Sequence, residues 1–167
     1  MQGLEKLEYR GYDSAGIAVF EKTGIKTVKT KGKLADMRHK LDIEGSPVGH
    51  CGIGHTRWAT HGEPSDINSH PHTNGRVTIV HNGIIENYIE LKEFLTEKGY
   101  TFTSQTDTEV VACLLDYYYS ERNPLRAITE TLKELKGSYA LGIIFRDFPD
   151  RVYATRKESP LIVGIGE

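Results

Sequence analysis

No stretch of this chain approaches the roughly 20 consecutive apolar residues that a membrane-spanning helix needs, so the sequence predicts no membrane partner. An excess of one charge is also missing. The 21 Lys+Arg and 23 Asp+Glu residues leave a net charge of −2, which supplies no basic field for nucleic acid. Cysteine is nearly absent: Cys51 and Cys113 stand far apart and form neither a disulfide framework nor a Cys-x-x-Cys pair. The opening residues, Met1 to Glu8, carry charge throughout and make no secretory signal. These absences together predict a reducing, cytoplasmic setting. What is present is the composition of a globular protein, with 38% hydrophobic residues and a mean hydropathy of −0.44. A length of 167 residues accommodates one domain with a real core.

The pattern along the chain alternates strands and helices in blocks. Residues 2–8 read as the tail of a helix, with Leu4 and Leu7 three apart. A turn at Arg10-Gly11-Tyr12-Asp13 leads to a buried strand over 14–20. Lys22-Thr23-Gly24 turns it into an alternating strand over 25–29. Residues 33–42 suit a helix, and 51–57 and 76–81 are strands separated by a loop rich in Pro, Asn, Ser and His.

Three helices follow. The first, over 87–98, stops at Gly99. The second opens with the capping box Thr106-Asp107-Thr108-Glu109 and presents Val111, Leu114, Leu115 and Tyr118. The third starts at Asn123-Pro124, turns Leu125, Ile128, Leu132 and Leu135 inward and ends at Gly137. Strands near 138–145, 151–156 and 161–165 close the chain. Strands, then helices, then strands predict an α+β fold with helices packed on antiparallel sheet, not βαβ alternation.

The run His55-Thr56-Arg57-Trp58-Ala59-Thr60-His61-Gly62 packs a guanidinium, an indole, hydroxyls and imidazoles into eight residues. Such a mixture makes a poor core strand and reads as a site lining. Downstream, His81-Asn82-Gly83 offers a side-chain amide and a backbone N–H, the donors of an oxyanion hole. Each position has a plainer account. Arg57 suits a carboxylate, or a strand-end ion pair. Asp107 suits an ammonium, or only the dipole of its helix. Asn82-Gly83 also spells a hairpin turn, although Ile84-Ile85-Glu86-Asn87-Tyr88 heads toward a helix. Trp58 walls a pocket or packs in the core. His55, His61, His70, His72 and His81 invite a metal-hydrolase reading, but no His-Glu-x-x-His or neighbouring carboxylate set accompanies them. Hydrogen bonding within a polar loop is the expectation for these rings, with no metal and no cofactor.

Tyr9-Arg10-Gly11-Tyr12-Asp13-Ser14-Ala15-Gly16, His55 to Gly62, His81 to Asn87 and Thr106 to Glu109 together resemble the glutaminase (class II glutamine amidotransferase) domains of the glucosamine-6-phosphate synthases. The resemblance covers nearly the whole chain. It implies an N-terminal-nucleophile hydrolase fold, an αββα sandwich of two antiparallel sheets between helical layers. It implies hydrolysis of the glutamine side-chain amide, with ammonia passed to a separate sugar isomerase domain that aminates fructose 6-phosphate. On this reading Arg57, Trp58, Thr60, His61 and Asp107 bind L-glutamine, Arg57 pairing with the α-carboxylate in a bidentate fork and Asp107 with the α-ammonium. Asn82 and Gly83 form the oxyanion hole.

The resemblance also implies a cysteine as first residue, its thiol attacking and its own amine serving as base. Met1 cannot do this, Cys51 lies internally without an α-amine, and Cys113 sits on an apolar helix. The expectation is therefore a partial domain over 1–167, cut at both ends, lacking its first and last strands and the isomerase domains. It binds glutamine without hydrolysing it, and the full-length protein is a homo-oligomer. The alternative is a catalytically dead glutamine-binding module.

Overall fold

β-Branched and aromatic residues alternate with small or polar ones over β1 (Ser14–Glu21) and β2 (Gly24–Lys31), which pair as a hairpin across Lys22-Thr23. Gly24 takes the positive φ of 131° that closes this tight turn. In the computed structural model, which describes residues 1–59 and 61–165, β3 (Gly52–Arg57) adds to the other edge of β1. The result is a three-stranded antiparallel sheet in the order β2-β1-β3. A second antiparallel sheet has four strands in the order β4-β5-β6-β7: β4 (His72–Asn74), β5 (Val77–Ile85), β6 (Gly137–Phe145) and β7 (Tyr153–Lys157).

The described helices are α1 (Gln2–Glu5), α2 (Leu34–Glu44), α3 (Tyr88–Glu97), α4 (Asp107–Tyr118) and α5 (Pro124–Glu134), with a 3₁₀ turn at Glu8–Arg10. Three apolar clusters fix the layers. Met37 and Leu41 of α2 meet Ala15 and Val28 on one face of the first sheet. Ala18, Phe20 and Ile53 of that sheet meet Ile144 and Val80 of the second. The far face of the second sheet, with Ile79, Leu141, Ile143 and Phe145, packs on α3, α4 and α5. The order is helix, sheet, sheet, helices, the αββα sandwich of two antiparallel sheets that the resemblance implies.

Strand parity then positions the site. Side chains two apart share a face, so His55 and Arg57 follow Ile53 into the space between the sheets, and Asn82 follows Val80 into the same space. His81 follows Val77 and Ile79 to the helical side, toward α4.

Helix α4 is the hub. Every residue from Asp107 to Leu115 is buried, the polar Asp107, Thr108 and Glu109 included. Thr106 caps it, its side chain accepting from the Glu109 N–H at 3.2 Å. The reciprocal half of the capping box does not form. The Glu109 carboxylate turns instead to the N–H groups of Thr103 and Ser104, which anchors the approach to the helix. Asn123 caps α5, accepting from the Arg126 N–H at 3.1 Å, with Pro124 in the first turn. Asn123→Ala is expected to cost about 1 kcal/mol of stability, read as a lowered urea midpoint with an unchanged slope.

Several local readings need correction. Strand β5 does not stop at His81. It runs on to Ile85, because Asn82, Gly83, Ile84 and Ile85 pair with Ala140, Tyr139, Ser138 and Gly137. The helix tail expected over 2–8 ends at Glu5. Residues 161–165 form no strand. On α5, Ile128 and Leu132 pack against the core and Leu135 is buried just beyond the helix, as the spacing predicts, but Leu125 is 67% exposed, with Pro124, Ala127 and Thr131 buried in its place, and Gly137 opens β6 instead of ending the helix.

Candidate functional site

A cavity of about 430 Å³ opens between the sheets where β3, β5 and the N-terminus of α4 converge. It is bordered by Arg57, Trp58, His61, Asn82, Gly83 and Asp107, so six of the seven residues singled out in the sequence meet there. The seventh, Thr60, lies outside the described residues.

Arg57 ends β3 and is 4% exposed. Its Nη2 donates to the carbonyls of His61 and of Gly62, the latter at 3.0 Å, and so ties down the segment that follows. Its Nη1 lies 3.9 Å from Asp13 Oδ1 and makes no hydrogen bond among the described residues. Burial lowers the guanidinium pKa, and the nearby carboxylates of Asp13 and Asp107 act in the opposite direction. The bidentate fork foreseen for Arg57 is thus half committed: Nη2 holds the loop, and Nη1 is the nitrogen left over. Asp13, which sequence reasoning passed over although it lies in the Arg-Gly-Tyr-Asp-Ser motif, organises this corner. It accepts from the Ser14 hydroxyl at 2.9 Å and from the Ala59 N–H.

On the facing sheet, Asn82 is exposed, and its Oδ1 lies 2.8 Å from His55 Nε2. Gly83 adopts φ 127° in mid-strand, and a Cβ there would meet the Ser138 carbonyl at 2.0 Å, so only glycine fits. The Asn-Gly pair is a strand segment here, not a hairpin turn. Asp107 is 3% exposed. Its Oδ2 accepts from the Ile85 N–H at 3.0 Å, and its Oδ1 lies 3.8 Å from His81 Nδ1. This carboxylate therefore also braces the end of β5. Trp58 is 63% exposed, tilted against Tyr12 with ring centroids 5.6 Å apart, which rules out core packing. His61 meets the Tyr88 ring edge-on at 5.2 Å.

Beneath the cavity lies a cluster of four buried imidazoles that sequence reasoning assigned to a polar loop. His55 stacks on His70 at 4.4 Å, and His70 meets His72 edge-on at 5.2 Å. His70 Nδ1 accepts from the His81 N–H, which puts its own proton on Nε2, 3.2 Å from Thr108 Oγ1. His81 Nδ1 also reaches Thr108 Oγ1, and His72 Nε2 reaches Thr106 Oγ1, each at 3.1 Å. Two threonines of the α4 cap thus organise three of the rings. Burial lowers the pKa of all four rings, to about 4 for His55 and about 3 for His72. They are neutral polar packing. Among the described residues no group of three or more His, Cys, Asp or Glu is arranged to hold a metal ion. The signal for this cluster was the density of histidines near a threonine-rich cap.

Neither cysteine borders the cavity. Cys113 is buried in α4, accepts from Asn74 Nδ2 at 3.0 Å, and burial pushes its thiol up to about 12. Cys51 packs at the edge of the inter-sheet cluster.

The sequence pattern of the glutamine amidotransferase domain matches residues 55–164. The glutamine–fructose-6-phosphate aminotransferase [isomerizing] of Clostridium tetani is 58% identical across the whole chain, and that of Clostridium perfringens is 59% identical. The chain spans only 28% and 27% of those proteins. Among solved structures, glutamine phosphoribosylpyrophosphate amidotransferase from B. subtilis, complexed with ADP and GMP, matches with a TM-score of 0.73 and 29% identity over 86% of this chain and 31% of its own. An allosteric regulatory enzyme of purine biosynthesis matches with a TM-score of 0.74 and 30% identity, over 86% of this chain and 32% of its own. The chain belongs to the glutamine amidotransferase domain family.

Proposed function

We propose that this domain is the glutamine-binding part of a glutaminase that supplies ammonia for glucosamine 6-phosphate synthesis from fructose 6-phosphate and L-glutamine. The reaction is the one named for its curated relatives, and a sugar isomerase domain is the partner that receives the ammonia. The observation that carries the reading is the pairing of an unbonded, buried Arg57 Nη1 with the Asp107 carboxylate around one cavity. A free α-amino acid needs an anion partner and a cation partner at once.

In this reading Nη1 of Arg57 donates to the α-carboxylate, Asp107 accepts from the α-ammonium, and Trp58 and His61 border the side chain. The amide carbonyl then points at Asn82 and Gly83. When a nucleophile adds to the amide carbon, negative charge develops on that oxygen, and the Asn82 Nδ2 and Gly83 N–H stabilise it. One such donor contributes on the order of 10²–10³ in rate. The attacking thiol is neither Cys51 nor Cys113, since neither borders the cavity. Residues 1–167 by themselves therefore hold glutamine without turning it over.

Calorimetric titration tests this with truncated ligands. L-Glutamine is expected to bind. Glutaramate, which lacks the α-ammonium, and 4-aminobutanamide, which lacks the α-carboxylate, are each expected to bind roughly 10- to 100-fold more weakly, the worth of one charged hydrogen bond. Equal affinity for all three ligands, or no binding of L-glutamine, would overturn the reading.

A further inference from the structure

We propose that His55 is a positioning residue: its Nε2–H fixes which end of the Asn82 amide faces the cavity. The inference rests on the oxyanion role proposed for Asn82.

A primary amide is nearly symmetric in shape. Rotating it by half a turn exchanges Oδ1 and Nδ2 with little steric change, so packing alone does not choose between the two orientations. Asn82 is exposed, and the one hydrogen bond of its side chain among the described residues is the 2.8 Å contact to His55 Nε2. That contact decides the orientation. With the proton on Nε2, the ring donates to Oδ1, and the Asn82 NH₂ turns out into the cavity as a donor. With the proton on Nδ1, bare Nε2 draws the NH₂ inward. The carbonyl then faces the cavity, and a developing oxyanion meets lone pairs instead of protons.

The fold favours the first state. Among the described residues, buried His55 Nδ1 has no hydrogen-bond partner. A proton placed there would be an orphan donor, the rarer and costlier of the two kinds of orphan group. On Nε2 the same proton is bonded. A half-turn of the ring about Cβ–Cγ would put Cε1 where Nε2 stands and forfeit the bond to Asn82, while the stack on His70 holds the ring plane in place. The other charged and titratable groups acting on it are His81, Arg57 and Asp13. Burial holds the ring neutral above about pH 4, so one proton is shared between two nitrogens and its location has a consequence. The hydrogen bond also joins the two sheets, since His55 lies on β3 and Asn82 on β5. It holds the Arg57 strand in register with the Asn82-Gly83 strand.

The test uses nuclear magnetic resonance on the ¹⁵N-labelled 167-residue chain. Multiple-bond ¹H–¹⁵N spectra at neutral pH read the tautomer of each imidazole. His55 is expected to carry its proton on Nε2, and a proton on Nδ1 would overturn the proposal. Two variants then separate orientation from packing. His55→Gln keeps a side-chain N–H donor, and His55→Leu removes it at similar bulk. Saturating L-glutamine is expected to shift the Asn82 side-chain NH₂ signals in the wild type and in His55→Gln, with that shift lost in His55→Leu. An undiminished shift in His55→Leu would also overturn the proposal. Should L-glutamine bind to none of the three, the glutamine reading of the cavity fails by itself. The wild-type tautomer, which needs no ligand, then decides the His55 proposal alone, as it does if His55→Leu does not fold.

Discussion

Arg57→Ala is expected to weaken L-glutamine binding by on the order of 10³-fold. The estimate combines the loss of one charged hydrogen bond to the α-carboxylate, about 1.5–3 kcal/mol, with the release of two loop carbonyls, about 1 kcal/mol each. Both parts follow from the divided guanidinium. Nη2 holds the His61 and Gly62 carbonyls, and Nη1 is unbonded. Because the side chain is buried beside Asp13, the substitution also lowers stability, and a binding loss alone does not prove a contact. The ligand series resolves this. If Arg57 Nη1 meets the α-carboxylate, removing the guanidinium and removing the carboxylate from the ligand are not additive. 4-Aminobutanamide then binds the variant within a few-fold of the wild type, apart from the loop contribution. Fully additive losses in a calorimetric cycle would place the carboxylate elsewhere. Arg57→Lys retains the charge without the fork. It is expected to fall between the two, since one ammonium cannot hold two carbonyls and an anion in a single plane.

The strands β1, β2, β3 and β6 and the caps Thr106 and Asn123 were legible because each depends on residues within a few positions. Parity carried more than it was asked to. Ile53, His55 and Arg57 alternate along β3, as Val80 and Asn82 do along β5, and that alternation puts Arg57 and Asn82 in one space between the sheets. What failed depended on distant partners. Strand β5 continues through Gly83 only because Tyr139 and Ser138 pair with it, more than fifty residues downstream. Leu125 faces solvent although Ile128, Leu132 and Leu135 of the same periodic set pack inward, because at the first turn of α5 the neighbours cover Pro124 and Ala127 instead. Asp13 braces Arg57 and the Ala59 N–H from another strand's end, a pairing no local pattern encodes. The imidazoles were visible as a dense group, but their burial was not. Whether a histidine is a solvated loop residue or neutral packing depends on what covers it, here Thr106, Thr108 and the His70-Pro71 backbone that lies against Gly16.

That burial carries the second large expectation: the domain loses on the order of 5 kcal/mol of stability between pH 7 and pH 5. His55, His70, His72 and His81 are 9%, 6%, 4% and 4% exposed, and burial holds each below the ordinary histidine value of 6.5. For His81 the Asp107 carboxylate opposes the shift without reversing it. The folded rings stay neutral where the unfolded ones are protonated, so below about pH 6.5 the unfolded state binds more protons. Stability is then fully present above that pH and falls with it, by up to about 1.4 kcal/mol per pH unit for each ring. The loss continues until the folded rings themselves protonate, near pH 4 for His55 and near pH 3 for His72. Carboxylates act in a lower window. Burial raises Glu109 and Asp66, but the N–H groups of Thr103 and Ser104 for Glu109, and the Lys31 N–H with Lys40 for Asp66, bring both below their ordinary values. Their contribution is present above about pH 4.5 and disappears beneath it. Urea unfolding at pH 7, 6 and 5 therefore reads the imidazoles almost alone. His72→Gln removes one titrating ring, and its slope of stability against pH is expected to be shallower by up to one proton. A flat profile from pH 7 to pH 5 would mean that the folded cluster accepts protons freely. The neutral, tautomer-specific ring that orients Asn82 would then lose its physical basis.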